Sequence, residues 1–292
     1  MNILLLGGTG YIGSNLVAQR PDWNWTVLDS NQCNLLDKNN VENICGNYDV
    51  VINAAGFYGG IVFNQQYQKE ILFRNLEMTT NIWRLVYRLT PKKFINIGSA
   101  CLYPKTATHQ IFESQIGDRD YHPSIKYSAA IKHLQLDLLK NYELEWEYLI
   151  LSNVYGPGEH LSFEKSHFVG SLIKKLQDNK ESVTMLGTGS AIRDFIYIKD
   201  AAEAICRYVE LPKSTCSATN ISTGHATSIF EMTQTLTNIV NPNITINWSD
   251  KKDNGVAYKV LNNNKMLKDI GFQPTTSIKQ GLTQTWNFFK ND

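Results

Sequence analysis

The sequence has no run approaching the roughly 18–20 consecutive apolar residues of a membrane span, although 42% of its 292 residues are hydrophobic. It has no excess of either charge. Against 28 Lys and Arg stand 27 Asp and Glu, a formal net charge of +1, with no basic block. Neither nucleic acid nor an anionic membrane is therefore expected as a main partner. The five cysteines are an odd number and lack paired spacing. That argues against a disulfide framework or a zinc site and fits reduced thiols in the cytoplasm. Internal repeats and low-complexity segments are absent, which excludes a solenoid. The first apolar run begins directly after Met1, so no signal peptide is expected. The length suffices for one large domain or a domain with a cap.

What is present is a rhythm of strand and helix. Residues 2–6 are an aliphatic run, followed by Gly7-Gly8-Thr9-Gly10-Tyr11-Ile12-Gly13 and a helix-compatible stretch over 14–20. Glycines between a strand and a helix start let the backbone turn tightly and approach a pyrophosphate at the helix N-terminus. A dinucleotide site is expected at Gly7, Gly10, Tyr11, Ile12 and Gly13. A second strand over 25–28 ends in Asp29, 22 positions after Gly7, close to the spacing of a ribose-binding acid. A carboxylate there accepts from a 2′-hydroxyl and repels a 2′-phosphate, so NAD is expected ahead of NADP. Ser30 and Asn31, neutral donors beside it, keep NADP open. The third strand, 49–53, leaves through Ala54-Ala55-Gly56, small residues past which a flat cofactor can lie.

A helix is expected over 66–89, a strand over 94–97, a helix over 127–142 and a strand over 146–151. That alternation is the signature of an α/β protein with a doubly wound parallel (Rossmann) sheet. Beyond residue 152 the pattern is less regular, with Asp200 placed to cap a helix over 201–210. The expected division is a dinucleotide-binding domain over 1–152, to which 183–213 returns. A smaller α/β substrate-binding cap then comprises 153–182 and 214–292.

The fourth strand runs into Gly98-Ser99-Ala100-Cys101-Leu102-Tyr103-Pro104. In open α/β sheets ligands lie outside the carboxyl ends of the strands. Ser99 and Cys101 are therefore delivered to the place where a substrate would sit. A lone Ser-x-Cys is also compatible with a hydroxyl and a thiol that merely pack a strand end.

Four stretches together resemble the extended short-chain dehydrogenase/reductases that act on nucleotide sugars, in particular the epimerase/reductases of 4-keto-6-deoxy-sugars. These are Gly59-Gly60-Ile61 before a long helix; Ser99-Ala100-Cys101-Leu102-Tyr103-Pro104-Lys105; Tyr155-Gly156-Pro157-Gly158 with Glu164-Lys165-Ser166-His167; and Gly187-Thr188-Gly189 with Arg193-Asp194-Phe195. The resemblance implies NAD or NADP as cofactor, a nucleotide-diphosphate sugar as substrate and a cytoplasmic homodimer serving polysaccharide biosynthesis. It makes Cys101 and His167 the acid/base pair that inverts carbons beside a 4-keto group, since one proton must leave one face and another arrive on the opposite face. It has Ser99 hydrogen-bond the substrate oxygen next to the nicotinamide and Arg193 clamp the diphosphate. Asn153 would contact substrate or cofactor, and Lys175 falls where the family has a basic residue. Related 3,5-epimerases carry the same Ser-Ala-Cys stretch, so the cysteine alone does not select one reaction.

The class also uses a Tyr and a Lys four positions apart on one helix face, the Lys holding the nicotinamide ribose. Here Tyr127 lies five positions before Lys132, about 140° away around a regular helix. Ser128 occupies the tyrosine slot. Three arrangements satisfy the sequence. An irregular helix start brings Tyr127 back to Lys132; or Ser128 is the equivalent, with epimerisation kept and reduction impaired; or the chain binds cofactor and sugar nucleotide without turnover.

Overall fold

The computed structural model describes residues 1–162, 166–179, 181–249 and 255–290. Glu164 and Lys165 of the quoted motif lie outside the described residues. The chain begins with strand β1 (Asn2–Leu6), the glycine turn and helix α1 (Tyr11–Gln19). Next come β2 (Asn24–Leu28), α2 (Lys38–Glu42) and β3 (Val50–Asn53). The helix expected over 66–89 is α4 (Gln68–Leu89), and a short helix, α3 (Ile61–Gln66), precedes it. Strand β4 (Lys93–Ser99) ends in a 3-10 turn over Ala100–Leu102, and α5 (Lys126–Lys140) leads to β5 (Glu145–Leu151).

The second part starts with β6 (Asn153–Tyr155), α6 (Phe168–Asp178) and β7 (Ser182–Met185). It continues through β8 (Ile192–Arg193), β9 (Phe195–Tyr197), α7 (Ile198–Glu210) and β10 (Ser217–Ile221). The chain then forms β11 (Thr227–Ser228), α8 (Ile229–Val240), β12 (Thr245–Trp248), β13 (Tyr258–Lys259), α9 (Asn264–Ile270) and α10 (Ile278–Phe289).

Six strands form one parallel sheet in the order β10-β5-β4-β3-β1-β2. Both faces are covered, so the strands read as continuous apolar runs rather than alternating ones. Alternate residues still face opposite ways. Leu4, Val51 and Phe94 pack under α4 and α5, whereas Ile3, Ile52 and Ile95 pack under α1 and α7. Each such fully buried side chain contributes about 1.5–3 kcal/mol. The chain reverses direction across the sheet between β1 and β3, the crevice where doubly wound folds bind ligands. The glycine turn and Ala54-Ala55 both open there.

The cap has its own core, in which Val169, Leu172, Val183, Met232 and Leu236 are buried together. Two features differ from the division expected over 183–213 and 214–292. β10 belongs to the central sheet as its edge strand beside β5. β7 pairs instead with β12, inside the cap. The sequence pattern alone marks a strand over 219–222, and only its pairing with β5 assigns it to the central sheet. Asp200 also departs from expectation. α7 starts earlier, at Ile198, with Tyr197 at its N-cap, and the Asp200 carboxylate accepts from the Thr276 amide at 3.0 Å.

A ladder of buried amides sets the rotation of α5 on the sheet. Asn53 donates to Asn96 at 2.7 Å, Asn96 to Gln135 at 3.3 Å, and Gln135 to the Thr79 hydroxyl at 3.1 Å. Satisfied polar networks of this kind fix one packing arrangement. This one turns Ser128 and Lys132 of α5 toward the carboxyl end of β4.

Candidate active site

The first wall of the site is the turn after β1. Gly7 has φ +76°, and a Cβ on it would lie 2.8 Å from Ala55 Cα. A Cβ on Gly13 would collide with Gly7 O and the Gly8 backbone. The Gly10 amide donates to Gly7 O at 3.0 Å, and no side chain caps α1 at Gly10. Backbone amides at this helix end are thus presented to the crevice, with the small residues Ala54 and Ala55 opposite. Those residues fit a dinucleotide pyrophosphate. Ile12 wedges between the sheet core and the cap core. The Tyr11 hydroxyl is buried without a partner. Asp29 follows the last residue of β2, and one of its oxygens accepts from the Asn31 and Gln32 amides at 2.8 Å each. Gly56 leaves room for the ring of Tyr58, which a Cβ would approach to 2.5 Å.

The second wall is the end of β4. Ser99 caps the 3-10 turn, its hydroxyl accepting from the Cys101 amide at 3.3 Å, and Cys101 is partly exposed. The Lys132 ammonium is buried and donates to Ile97 O at 2.9 Å. Tyr148 packs on Gly98 and donates its hydroxyl to Lys132 O at 3.0 Å, which steadies the lysine backbone. Burial lowers the Lys132 pKa to about 8, while the neighbouring Cys101 works in the opposite direction. Helix α5 is regular from Lys126 onward. Ser128 is buried one turn before Lys132, on the same face. Tyr127 is half-buried, with the Lys126 ammonium 5.7 Å from its ring centroid. The aromatic ring beside Lys132 belongs to Tyr58, whose centroid is 5.0 Å from the ammonium.

The third wall comes from the cap. Arg193 on β8 is half-buried, its guanidinium donating to Ile192 O at 2.8 Å. Burial pushes its pKa down to about 10. Its register partner on β13 is Lys259, a buried lysine that donates to Ala100 O at 3.0 Å. Lys259 is held below its usual pKa by burial; Cys101 opposes that shift and Arg193 adds to it. Between β8 and β9, Asp194 is buried and accepts from the Thr223 and Gly224 amides, both at 3.1 Å. Asn153 donates through side chain and backbone to Asp194 O at 2.8 and 3.0 Å. Asp194 and Asn153 thus fasten β6 and the β10 exit to the strand that carries Arg193.

His167 is the N-cap residue of α6, and its amide donates to Glu159 Oε1 at 3.0 Å. The residue is exposed at the surface, yet partial desolvation disfavours the imidazolium and lowers its pKa. Glu159 is buried, its Oε2 has no hydrogen-bond partner, and burial raises its pKa to about 7. A Cβ on Gly60 would lie 2.5 Å from Ser166 O. The loop that carries Tyr58 therefore touches the segment that carries His167. Lys175 is tied within the cap, its ammonium donating to Thr184 O at 2.7 Å.

The model of the NAD dependent epimerase/dehydratase family matches residues 3–222. The chain belongs to that family. GDP-L-fucose synthase 1 of Arabidopsis thaliana is 28% identical over 300 residues, which cover 98% of this chain and 92% of that protein. A GDP-6-OMe-4-keto-L-xylo-heptose reductase from C. jejuni superposes with a TM-score of 0.88 at 21% identity, covering 99% of this chain and 97% of that one. A GDP-L-fucose synthetase from Naegleria fowleri bound to NADP does so at 0.86 and 23%, covering 99% and 94%.

In this family member the structure gathers Ser99, Cys101, Lys132 and Arg193 around the end of β4, and it reaches His167 through the Gly60 contact. It leaves Tyr127 beside Lys126, and Lys175 on α6 tied to the Thr184 carbonyl of β7. Sequence reasoning missed Tyr58, Lys259 and Glu159. Tyr58 had a signal, since it directly precedes Gly59-Gly60-Ile61 after a strand exit. Lys259 had none, because only its pairing with β8 brings it to Ala100.

Proposed function

We propose that this chain is an NAD(P)-dependent nucleotide-sugar epimerase/reductase acting on a 4-keto-deoxy-sugar carried by GDP. One observation carries the reading. Lys132, Lys259 and Arg193 converge on the Cys101 turn beside the dinucleotide crevice, and none pairs with a carboxylate among the described residues. Buried cations without counter-charges are costly. A diphosphate with a polarised keto-sugar supplies that charge. Arg193 and Lys259 would hold the diphosphate, and Ser99 the sugar oxygen.

When bound, the dinucleotide supplies the reducing equivalent at C4. Cys101 and His167, on different loops, would exchange protons at the carbons flanking the ketone. His167 suits the base, because partial desolvation keeps its imidazole neutral. A hydroxyl beside Lys132 would protonate the C4 oxygen. Gly7, Gly10 and Gly13 with Ala54 and Ala55 would cradle the cofactor. The carboxylate of Asp29 favours NAD, so KM for NADH should be the lower of the two coenzymes. The exposed apolar residues Phe73, Leu76 and Tyr87 of α4 and Leu134 and Leu138 of α5 suit a homodimer built on those helices.

A second reading, epimerisation without net reduction, is favoured by Ser128 standing where the class has its tyrosine. Incubation with GDP-4-keto-6-deoxymannose and NADPH or NADH distinguishes the two. Coenzyme oxidation with a product two mass units heavier supports the first, a product of unchanged mass with inverted carbons supports the second, and unchanged substrate refutes both.

A further inference from the structure

We propose that Tyr58 is the proton donor to the C4 oxygen, taking the part of the tyrosine that α5 lacks. The inference rests on the epimerase/reductase reading above and names the acid of that same site. Three observations carry it. First, α5 starts at Lys126 without a bulge, so Ser128 and Lys132 share a face, whereas Tyr127 is set about 140° around the helix from Lys132 and its ring meets the Lys126 ammonium. Second, the Tyr58 ring lies under the Lys132 ammonium, with 5.0 Å between nitrogen and centroid, a cation–π distance. Third, the Tyr58 hydroxyl is buried without a hydrogen-bond partner, and Cys101 is close enough for their charges to interact. A buried hydroxyl left unpaired is destabilising and calls for an explanation. An acceptor brought by the substrate supplies one.

The local sequence is built around this ring. Tyr58 leaves the carboxyl end of β3, the strand next to β4, so its loop faces the same crevice. Gly56 is the residue whose side chain would strike the ring, and Gly60 packs on Ser166 beside His167. The loop thus spans from the Lys132 wall to the His167 wall. Serine stands in the tyrosine slot of the helix, and the ring of Tyr58, from the loop after β3, packs against the same lysine.

In the step, the C4=O π pair takes the proton of Tyr58 Oη and becomes the O4–H bond. C4 receives the hydride that NAD(P)H supplies, which forms the C4–H bond. The phenolate left behind faces the Lys132 ammonium and regains its proton from water. Lys132 is then the charge partner of Tyr58, the relation the class ordinarily builds within one helix.

The test compares the full-length wild type with Tyr58→Phe and Tyr127→Phe, given NADPH and GDP-4-keto-6-deoxymannose in heavy water. For Tyr58→Phe, NADPH oxidation should fall about 10²–10⁴-fold. Deuterium entry at the carbons beside the ketone should stay within about twofold of wild type, and NADP binding should not weaken. Because the hydroxyl has no partner in the protein, Tyr58→Phe should melt at or above the wild-type temperature. Loss of reduction in Tyr127→Phe with retention in Tyr58→Phe overturns the proposal. So does a lowered melting temperature with unchanged reduction in Tyr58→Phe, which would make the ring a packing residue that fills the space beside Ser128. A wild type that exchanges deuterium but oxidises neither NADPH nor NADH overturns the donor role while leaving the epimerase. A wild type that does neither overturns the functional reading and this step with it.

Discussion

Strand β4 has a buried ammonium at each end, and the two are held in opposite ways. At its start Lys93 donates to the carbonyls of Tyr208, Val209 and Leu211 at 3.2, 3.1 and 2.7 Å, closing the C-terminus of α7. Burial lowers its pKa, but Glu147 and Glu145 oppose that shift. At the other end Lys132 has one carbonyl, a phenol ring and Cys101, with Lys259 and Arg193 nearby and equally short of carboxylates. A helix C-terminus attracts a cation through its carbonyls, so Lys93 is satisfied by the fold itself. The cations at the carboxyl end are not. The comparison teaches that where this protein completes its own electrostatics it is building structure, and where it leaves them incomplete is where the proposed anionic substrate would complete them.

Substitutions that remove one cation at either end sharpen the contrast. Arg193→Met should raise KM for the sugar nucleotide about 10²-fold or more, without lowering the melting temperature of the free protein, because a desolvated charge has been exchanged for an apolar chain. Steady-state kinetics and a thermal melt check both halves, and unchanged KM would break the comparison. Lys93→Met should do the reverse. It strands three carbonyls at the end of α7 and should cost about 3 kcal/mol in urea unfolding, with KM unaltered.

Glu159 is the acidic counterpart of the second region and gives the smallest effect. Its folded pKa of about 7 lies above the ordinary 4.5. The native state therefore holds the proton longer than the unfolded chain between those values. Its contribution to stability is full below about pH 4.5 and is lost as pH rises through about 7. Glu159→Gln keeps an acceptor for the His167 amide and removes the buried charge. Its stability relative to wild type should rise across that window and level off above it, by at most about 3 kcal/mol. A difference that does not vary with pH would show that Glu159 is not neutralised by folding.

Much of the fold was legible because it is written locally. The apolar runs of β1, β3, β4 and β5 needed no knowledge of their neighbours, and Gly7, Gly10 and Gly13 act through their own backbone. Ser99 and Cys101 were legible for the same reason, as a strand end has a fixed place in a doubly wound sheet. The parts that were not legible depend on distant packing. Lys259 reaches Ala100 across 159 positions, Tyr58 meets Lys132 only after the amide ladder has rotated α5, and the place of β10 in the central sheet follows only from its pairing with β5. The Tyr127 and Ser128 alternatives turned on whether α5 begins regularly, and spacing alone does not determine that.

The most direct measurement is proton exchange at the sugar carbons flanking the ketone, followed by mass spectrometry in heavy water with GDP-4-keto-6-deoxymannose and NADPH. The account predicts that wild type incorporates deuterium and oxidises NADPH, and that Cys101→Ala abolishes the incorporation. A wild type that incorporates none, or a Cys101→Ala variant that exchanges as fast as wild type, would contradict it.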